Sequence, residues 1–258
     1  MAKKYTYPTY VRVVEWVGML AFGSLYAFIA WRLGEALWEQ NRDHMWWMLS
    51  ILPLLGLISA DFISGTFHFL ADNFGDEEMW FWGQAFVRPF REHHVDPQAI
   101  CRHDFVERNG NLALALLPLI SPLLLLPYRT TLWGQVVTVY ALFFLVAMVM
   151  TQTIHSWAHM DDPPRLIRKL QDWHLVLPRD HHHCHHTPPY REAYCITVGW
   201  LNPLLDRSSF WQHAEVWVAH YMPWLAHPAA EQAAREAAQR AINSAAAINH
   251  VPSEDSPA

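Results

Sequence analysis

Apolar residues gather into four runs along the chain, separated by stretches rich in polar side chains. The first extends from Val13 to Leu33 and the second from Met45 to about Leu70, opened by Trp46 and Trp47. The third covers Leu112 to Leu126 and the fourth Leu132 to about Ile154. A helix that crosses the hydrocarbon core of a bilayer needs about 20 apolar residues. The first, second and fourth runs meet that requirement, and three such runs are more than a soluble core uses. The third is shorter and contains Pro118 and Pro122, so it predicts either a short span or a re-entrant hairpin. The pattern predicts an all-α integral membrane protein, multi-pass, with four transmembrane helices at about 13–33, 45–70, 112–126 and 132–154.

The polar stretches complete the layout. Residues 71–111 and 155–227 form the parts expected outside the bilayer, and the aromatic stretch from Met79 to Phe86 predicts an interfacial helix. Residues 1–227 read as one membrane domain. Residues 228–248 are Ala-rich with Glu and Arg, which predicts a surface helix, and the chain to 258 reads as a flexible tail. If the N-terminus is cytoplasmic and all four runs cross, the outer loops hold Arg32, Arg42 and Arg129, three of the 18 Lys and Arg. Lys3, Lys4, Arg88, Arg91, Arg102, Arg108, Arg165, Arg168, Lys169 and Arg179 then face inward. Such an excess marks the cytoplasmic side. The first run is long, starts late and lacks a small-residue cleavage site, so no cleavable leader is expected.

Composition narrows the classes. Apolar residues make up 52% and charged ones 16%, the reverse of a disordered chain. Three Cys and no Cys-x-x-Cys exclude a disulfide framework. A net charge of -6 gives no drive toward nucleic acid. Mean hydropathy is only +0.01, because apolar runs and polar segments cancel in the average.

The distinctive count is 17 His, nearly as many as all Lys and Arg together. Most are clustered. His68 ends the second run, four residues before Asp72; His93 and His94 follow, then His103; His155 and His159 end the fourth run. His174 precedes the string DHHHCHH, which holds His181, His182, His183, His185 and His186. In the topology above all of these lie at one membrane face, which requires the third run to cross. Residues four apart share a helix face, as in His68/Asp72, His155/His159, His181/His185 and His182/His186. Neighbours such as His93 and His94 point about 100° apart and suit two adjacent metals. There is no HExxH, no Glu-x-x-His and no CxxCH, which sets aside the common zinc-protease helix, the carboxylate di-iron bundle and attached haem. Imidazole suits zinc, copper, iron and nickel, and the pattern points to a His-rich cytoplasmic cap holding a dinuclear metal site. Asp61, seven residues before His68 on the same face, is expected to support it. His183 and Cys184 fall off the pattern, and His44, His213, His220, His227 and His250 receive no role.

Five strings carry a family resemblance: ADFISGTFHFLAD, RPFREHHVDPQAICRHDFVERNGN, QTIHSWAH, LQDWHLVLPRDHHHCHH and YCITVGWLNPLLD, spanning residues 60–206. In these the chain resembles the plasmanylethanolamine desaturases, or Kua family, related to a plant plastid palmitate desaturase. Where that family commonly reads Asn-Gly-Asp-Asn, the chain has Asn109, Gly110, Asn111 and Leu112. The resemblance implies a di-iron centre that uses molecular oxygen to introduce the vinyl-ether double bond of plasmalogens into an ether phospholipid. Its implied catalytic ligands are His68, His93, His94, His155, His159, His182, His185 and His186, with His181 and Asp72 close behind and His103 and His174 as further ligands or their supports. Arg91 and Arg102 are the nearest cations for the lipid phosphate. No flavin or nicotinamide fingerprint occurs, so a separate electron donor is expected, of cytochrome b5, ferredoxin or flavodoxin type. An acyl-lipid desaturase, a lipid hydroxylase and a non-catalytic metal-binding signalling protein are the competing readings.

Overall fold

The computed structural model describes residues 9–79, 83 and 87–225. The interfacial helix expected near Met79–Phe86 falls almost wholly outside these residues, as do the Ala-rich helix and the tail.

Among the described residues, three helices are long and apolar enough to cross a membrane: α1 (Thr9–Gln40), α2 (Arg42–Asn73) and a later one, Leu132–His159. Each overruns its apolar core by a turn or more, because the helix continues into polar flanks that hydropathy alone does not count. Between α2 and the third long helix come α3 (Arg88–Val95), a 3-10 turn (Ala99–Arg102), α4 (Phe105–Ala115) and α5 (Leu117–Ile120), the last running into a 3-10 turn (Ser121–Leu125). The long helix Leu132–His159 is therefore α6. After it come α7 (Arg165–Asp172), α8 (Arg179–His185), α9 (Asn202–Arg207) and α10 (Phe210–Tyr221).

The third apolar run is a bent pair. α4 begins at Phe105, well before the run, and the chain turns by 50° after Ala115. Pro118 and Pro122 lack the N–H that a continuous helix needs there. α4 starts abruptly because Asp104 caps it: its Oδ1 accepts from Val106 and Glu107 backbone N–H at 2.9 and 3.0 Å, and Glu107 reaches back to the Asp104 N–H at 3.0 Å.

Two contacts fix the direction of the chain. Asp104 pairs with Arg12, at the start of α1. Gln135, at the start of α6, accepts from Asn41 Nδ2 at 2.8 Å, in the turn between α1 and α2. Between Asp104 and Leu132 the chain thus passes from one end of the bundle to the other. The start of α1, the end of α2, the start of α4 and the end of α6 share one end.

The core lies between α1, α2 and α6, where Ile29, Leu33, Met48, Leu52, Leu142, Leu145 and Met148 are buried. The outside is apolar too. Leu20, Ile51, Leu54 and Val137 are exposed, and only 22% of the apolar window of α1 is buried. An exterior of that kind needs hydrocarbon as its solvent. Trp38, Trp46, Trp47 and Trp133 ring the end opposite Asp104, as aromatic residues do at a bilayer interface. α10, inside the stretch expected in the polar cap, packs along α2: Phe210 lies 5.7 Å from Phe62 and Trp211 5.2 Å from Phe69, ring to ring.

Candidate metal centre

At the shared end, eight imidazoles and one carboxylate converge as two adjoining groups: His93, His155, His159, His182 and His186, and His68, Asp72, His94 and His185. The long helices α2 and α6 each supply a pair one turn apart, His68/Asp72 and His155/His159. α3 and α8 close the site from above. Neighbouring residues there go to different groups: on α3, His93 to the first and His94 to the second, and at the end of α8, His185 to the second and His186, the residue after the helix, to the first. The His93 and His94 rings are 4.6 Å apart, those of His94 and His186 4.7 Å, and those of His68 and His155 5.8 Å.

The spacing within each group fits a metal ion. In the first, Nε2 of His182 lies 2.8 Å from Nε2 of both His155 and His159, which are 3.1 Å from each other, and 3.1 Å from Nε2 of His186. Three nitrogens in so tight a triangle cannot all hydrogen-bond linearly. An ion about 2.1 Å from each nitrogen would set neighbouring ligands about 3.0 Å apart at right angles. In the second group the Nε2 atoms of His68, His94 and His185 lie 3.3, 3.2 and 3.2 Å from Asp72 Oδ2.

Backbone carbonyls aim the rings. Nδ1 of His68 donates to the Tyr194 carbonyl at 3.1 Å, that of His93 to Phe90 at 2.5 Å and that of His185 to Glu192 at 2.8 Å. Each bond leaves a bare lone pair at Nε2, the form that binds metal. Nε2 of His68 and His93 is buried with no hydrogen-bond partner, an arrangement that costs about 1–3 kcal/mol per group unless something occupies the lone pair. Burial, and then the neighbouring imidazoles, hold His93 and His182 well below the ordinary histidine range and push His186 down to about 2. These three imidazoles are therefore neutral, the form that can bind a metal ion.

Asp61 does not touch His68. Its Oδ1 accepts from the N–H groups of Thr197, Val198 and Gly199 at 3.2, 2.8 and 2.8 Å, and its Oδ2 from Leu201 at 3.2 Å. The run of amides is possible because Gly199 takes a φ of +73°, which side chains disfavour. The clamp holds the segment that carries the Tyr194 carbonyl. Gly65 helps: a Cβ there would lie 2.7 Å from Cys195 Sγ, so only glycine lets this segment lie on α2. Thr197 Oγ1 also donates to Ser64 Oγ at 3.0 Å and lies 2.9 Å from Thr151 Oγ1.

All eight histidines expected as catalytic ligands lie in the two groups, with Asp72. The structure leaves His103, His174 and His181 outside both. His103 is exposed, 3.3 Å from Glu107; the rings of His174 and His181 face each other at 5.6 Å. His183 and Cys184 point outward. Arg91 donates to the carbonyls of Phe74 and Gly75 at 3.3 and 2.9 Å and lines an open pocket of about 330 Å³ beside Asp72, His94, Val95 and Tyr190. Arg102 pairs with Asp96 on the exposed surface. Sequence reasoning misses Tyr194, which lies ring to ring 4.9 Å from His185 and 5.8 Å from His68. It sits in the string YCITVGW, whose oddity is its only signal.

Residues 57–225 match the family model described as a lipid desaturase domain. The chain is 43% identical over 224 residues to plasmanylethanolamine desaturase of Myxococcus xanthus, covering 84% of this chain and 76% of that protein. It is 39% identical over 213 residues to plasmanylethanolamine desaturase 1 of Mus musculus, covering 79% and 76%. It is 34% identical over 163 residues to chloroplastic fatty acid desaturase 4 of Arabidopsis thaliana, covering 62% and 49%. No solved structure matches.

Proposed function

The chain belongs to the lipid desaturase family, and from that membership we propose that it is an oxygen-dependent membrane oxidoreductase that converts the 1-O-alkyl chain of an ether phospholipid into a vinyl ether. The pair of adjoining ligand groups carries this reading: nine side chains, eight of them imidazoles, placed for two metal ions. In this assignment His93, His155, His159, His182 and His186 hold one iron, and His68, Asp72, His94 and His185 the other. His103, His174 and His181 stand outside that set. Two irons bound here would supply, from O2 and two electrons, the oxidant that unactivated C–H bonds require.

The rest is done by the chain. The Tyr194, Phe90 and Glu192 carbonyls orient three ligands, and Asp61 secures the first of these carbonyls. Arg91, at the open pocket beside Asp72, is placed to receive the lipid phosphate. Arg102, engaged with Asp96, is the less suited of the two cations. Electrons come from a separate carrier of cytochrome b5, ferredoxin or flavodoxin type, since the sequence has no flavin or nicotinamide fingerprint. The inward excess of Lys and Arg supports a cytoplasmic N-terminus and a cytoplasmic His end.

A second reading, desaturation of an ester-linked acyl chain, draws on the similarity to the plant fatty acid desaturases. The higher identity to the plasmanylethanolamine desaturases favours the ether. The test is a metal count on purified protein, together with lipid analysis after incubation with 1-O-alkyl phospholipid, a reductant and oxygen. The expected result is two irons per chain and an acid-labile vinyl ether. A new double bond in an ester chain only would select the second reading. A single zinc without product would overturn both.

A further inference from the structure

α2 and α10 enclose a groove of about 270 Å³ whose accessible wall is entirely apolar. Phe62, Thr66 and Phe69 line it from α2, and Trp211, Ala214 and Trp217 from α10. From Phe62 to Leu70 the helix rises about 12 Å, so the groove runs along the span instead of across its end. The outer flank of α10 is exposed and mixes Val216, Trp217 and Tyr221 with His213 and His220, as a helix lying at the bilayer interface does. A membrane lipid reaches such a groove sideways, from the bilayer.

The back of the groove adjoins the metal centre. The buried Tyr194 ring lies 5.4 Å from Phe69 and 5.1 Å from Trp211 on one side, and 4.9 Å from His185 on the other. Its hydroxyl is pinned, donating to the Tyr190 carbonyl and accepting from Asn73 Nδ2, both at 2.9 Å. One fixed aromatic layer therefore separates the groove from the ligands of the second group. A chain in the groove is held beside the centre but walled off from it, and is not the chain that loses hydrogen. The open pocket at Asp72 and His94 is lined by members of that same group, with no aromatic layer between.

We propose that the α2/α10 groove binds the non-reacting hydrocarbon chain of a two-chain phospholipid substrate, and so sets a preference for two-chain over one-chain lipids. The inference rests on the desaturase reading. In detergent micelles, 1-O-alkyl-2-acyl phospholipid is expected to exceed its 2-lyso counterpart in kcat/KM by at least about tenfold, the equivalent of burying two methylenes. Ala214→Trp, which fills the groove, is expected to bring the two substrates to near-equal kcat/KM at an unchanged metal count, with Ala214→Leu intermediate. Equal losses on both substrates, or an unaltered ratio, overturn the proposal. A photoactivatable diazirine carried on the second chain provides a readout free of turnover. It is expected to label α2 near Thr66 and α10 near Ala214 in metal-loaded and metal-depleted protein alike. Label spread evenly over the lipid-facing helices shows only surrounding lipid and overturns the groove; a cross-link from Ala214→Cys to residues 226–258 makes the chain's own end the occupant and does the same. If the wild-type protein forms no double bond while the groove is labelled, the desaturase reading fails and lipid binding there stands.

Discussion

Asp72 is the lone carboxylate among nine converging side chains, and three imidazole nitrogens lie within 3.3 Å of one of its oxygens. It supplies the negative charge that the all-histidine first group lacks. Asp72→Ala is therefore expected to leave the first group intact and empty the second. The outcome to look for is a fall from two irons to about one per chain and desaturation lost by at least about 100-fold, the upper end of what losing one metal-site partner costs, with an unchanged helical circular-dichroism spectrum. Two irons retained would show that the carboxylate is no ligand. At this scale the sequence is informative about side chains and silent about the backbone. Histidines spaced four apart announce themselves. The Tyr194, Phe90 and Glu192 carbonyls do not, because every residue has a carbonyl and only the fold decides which one meets a ring. Asp61 is visible as an acid inside an apolar run, but its partners are four amides more than 130 residues away.

Helix ends, not helix middles, carry the centre. α2 and α6 bring their candidate ligands up from the bundle as pairs one turn apart, while two consecutive histidines on α3, and two more at the end of α8, are split between the groups. The segment from Ala193 to Leu201 links these elements, pressed onto α2 by Asp61 and admitted by Gly65. Gly65→Leu is expected to force that segment away from α2, cost about 1–3 kcal/mol as overpacking does and release the Tyr194 carbonyl from His68. The second group then loses its fixed ring, so weaker metal retention during chelator dialysis is expected along with a lower unfolding temperature. A variant that unfolds earlier but holds both metals as tightly as wild type would reduce this segment to packing alone. The long helices are legible in the sequence because their apolar runs are uninterrupted. The third run is not: hydropathy starts counting at Leu112, whereas the Asp104 capping box begins α4 seven residues earlier, and the prolines bend the chain beyond Ala115. Composition alone puts α10 in the polar cap, because it mixes polar and aromatic residues, and only its packing on α2 gives the apolar face a partner.

The whole molecule depends on the number of crossings. His68 and His155 meet only if an odd number of spans separates the end of α2 from the start of α6, so the bent pair must carry the chain across for one joint centre to exist. Sequence alone poses that condition, and the contacts of Asp104 with Arg12 and of Gln135 with Asn41 meet it within the bundle. Which end faces the cytoplasm is a matter of charge, because short loops rich in Lys and Arg stay inside. Cysteine chemistry tests both statements. Of the three cysteines, Cys184 is exposed and Cys101 half-buried at the His end, Cys195 is buried, and none lies at the opposite end. In Thr130→Cys a new thiol stands in the exposed turn before α6. A membrane-impermeant maleimide is expected to label Cys184 only in inside-out vesicles and the residue-130 thiol only in right-side-out ones. Labelling of both from the same side would mean that the bent pair returns without crossing, and the joint centre would fall with it. Opposite labelling with the sides exchanged would keep the centre and reverse its orientation, so that the electron carrier would have to approach from outside.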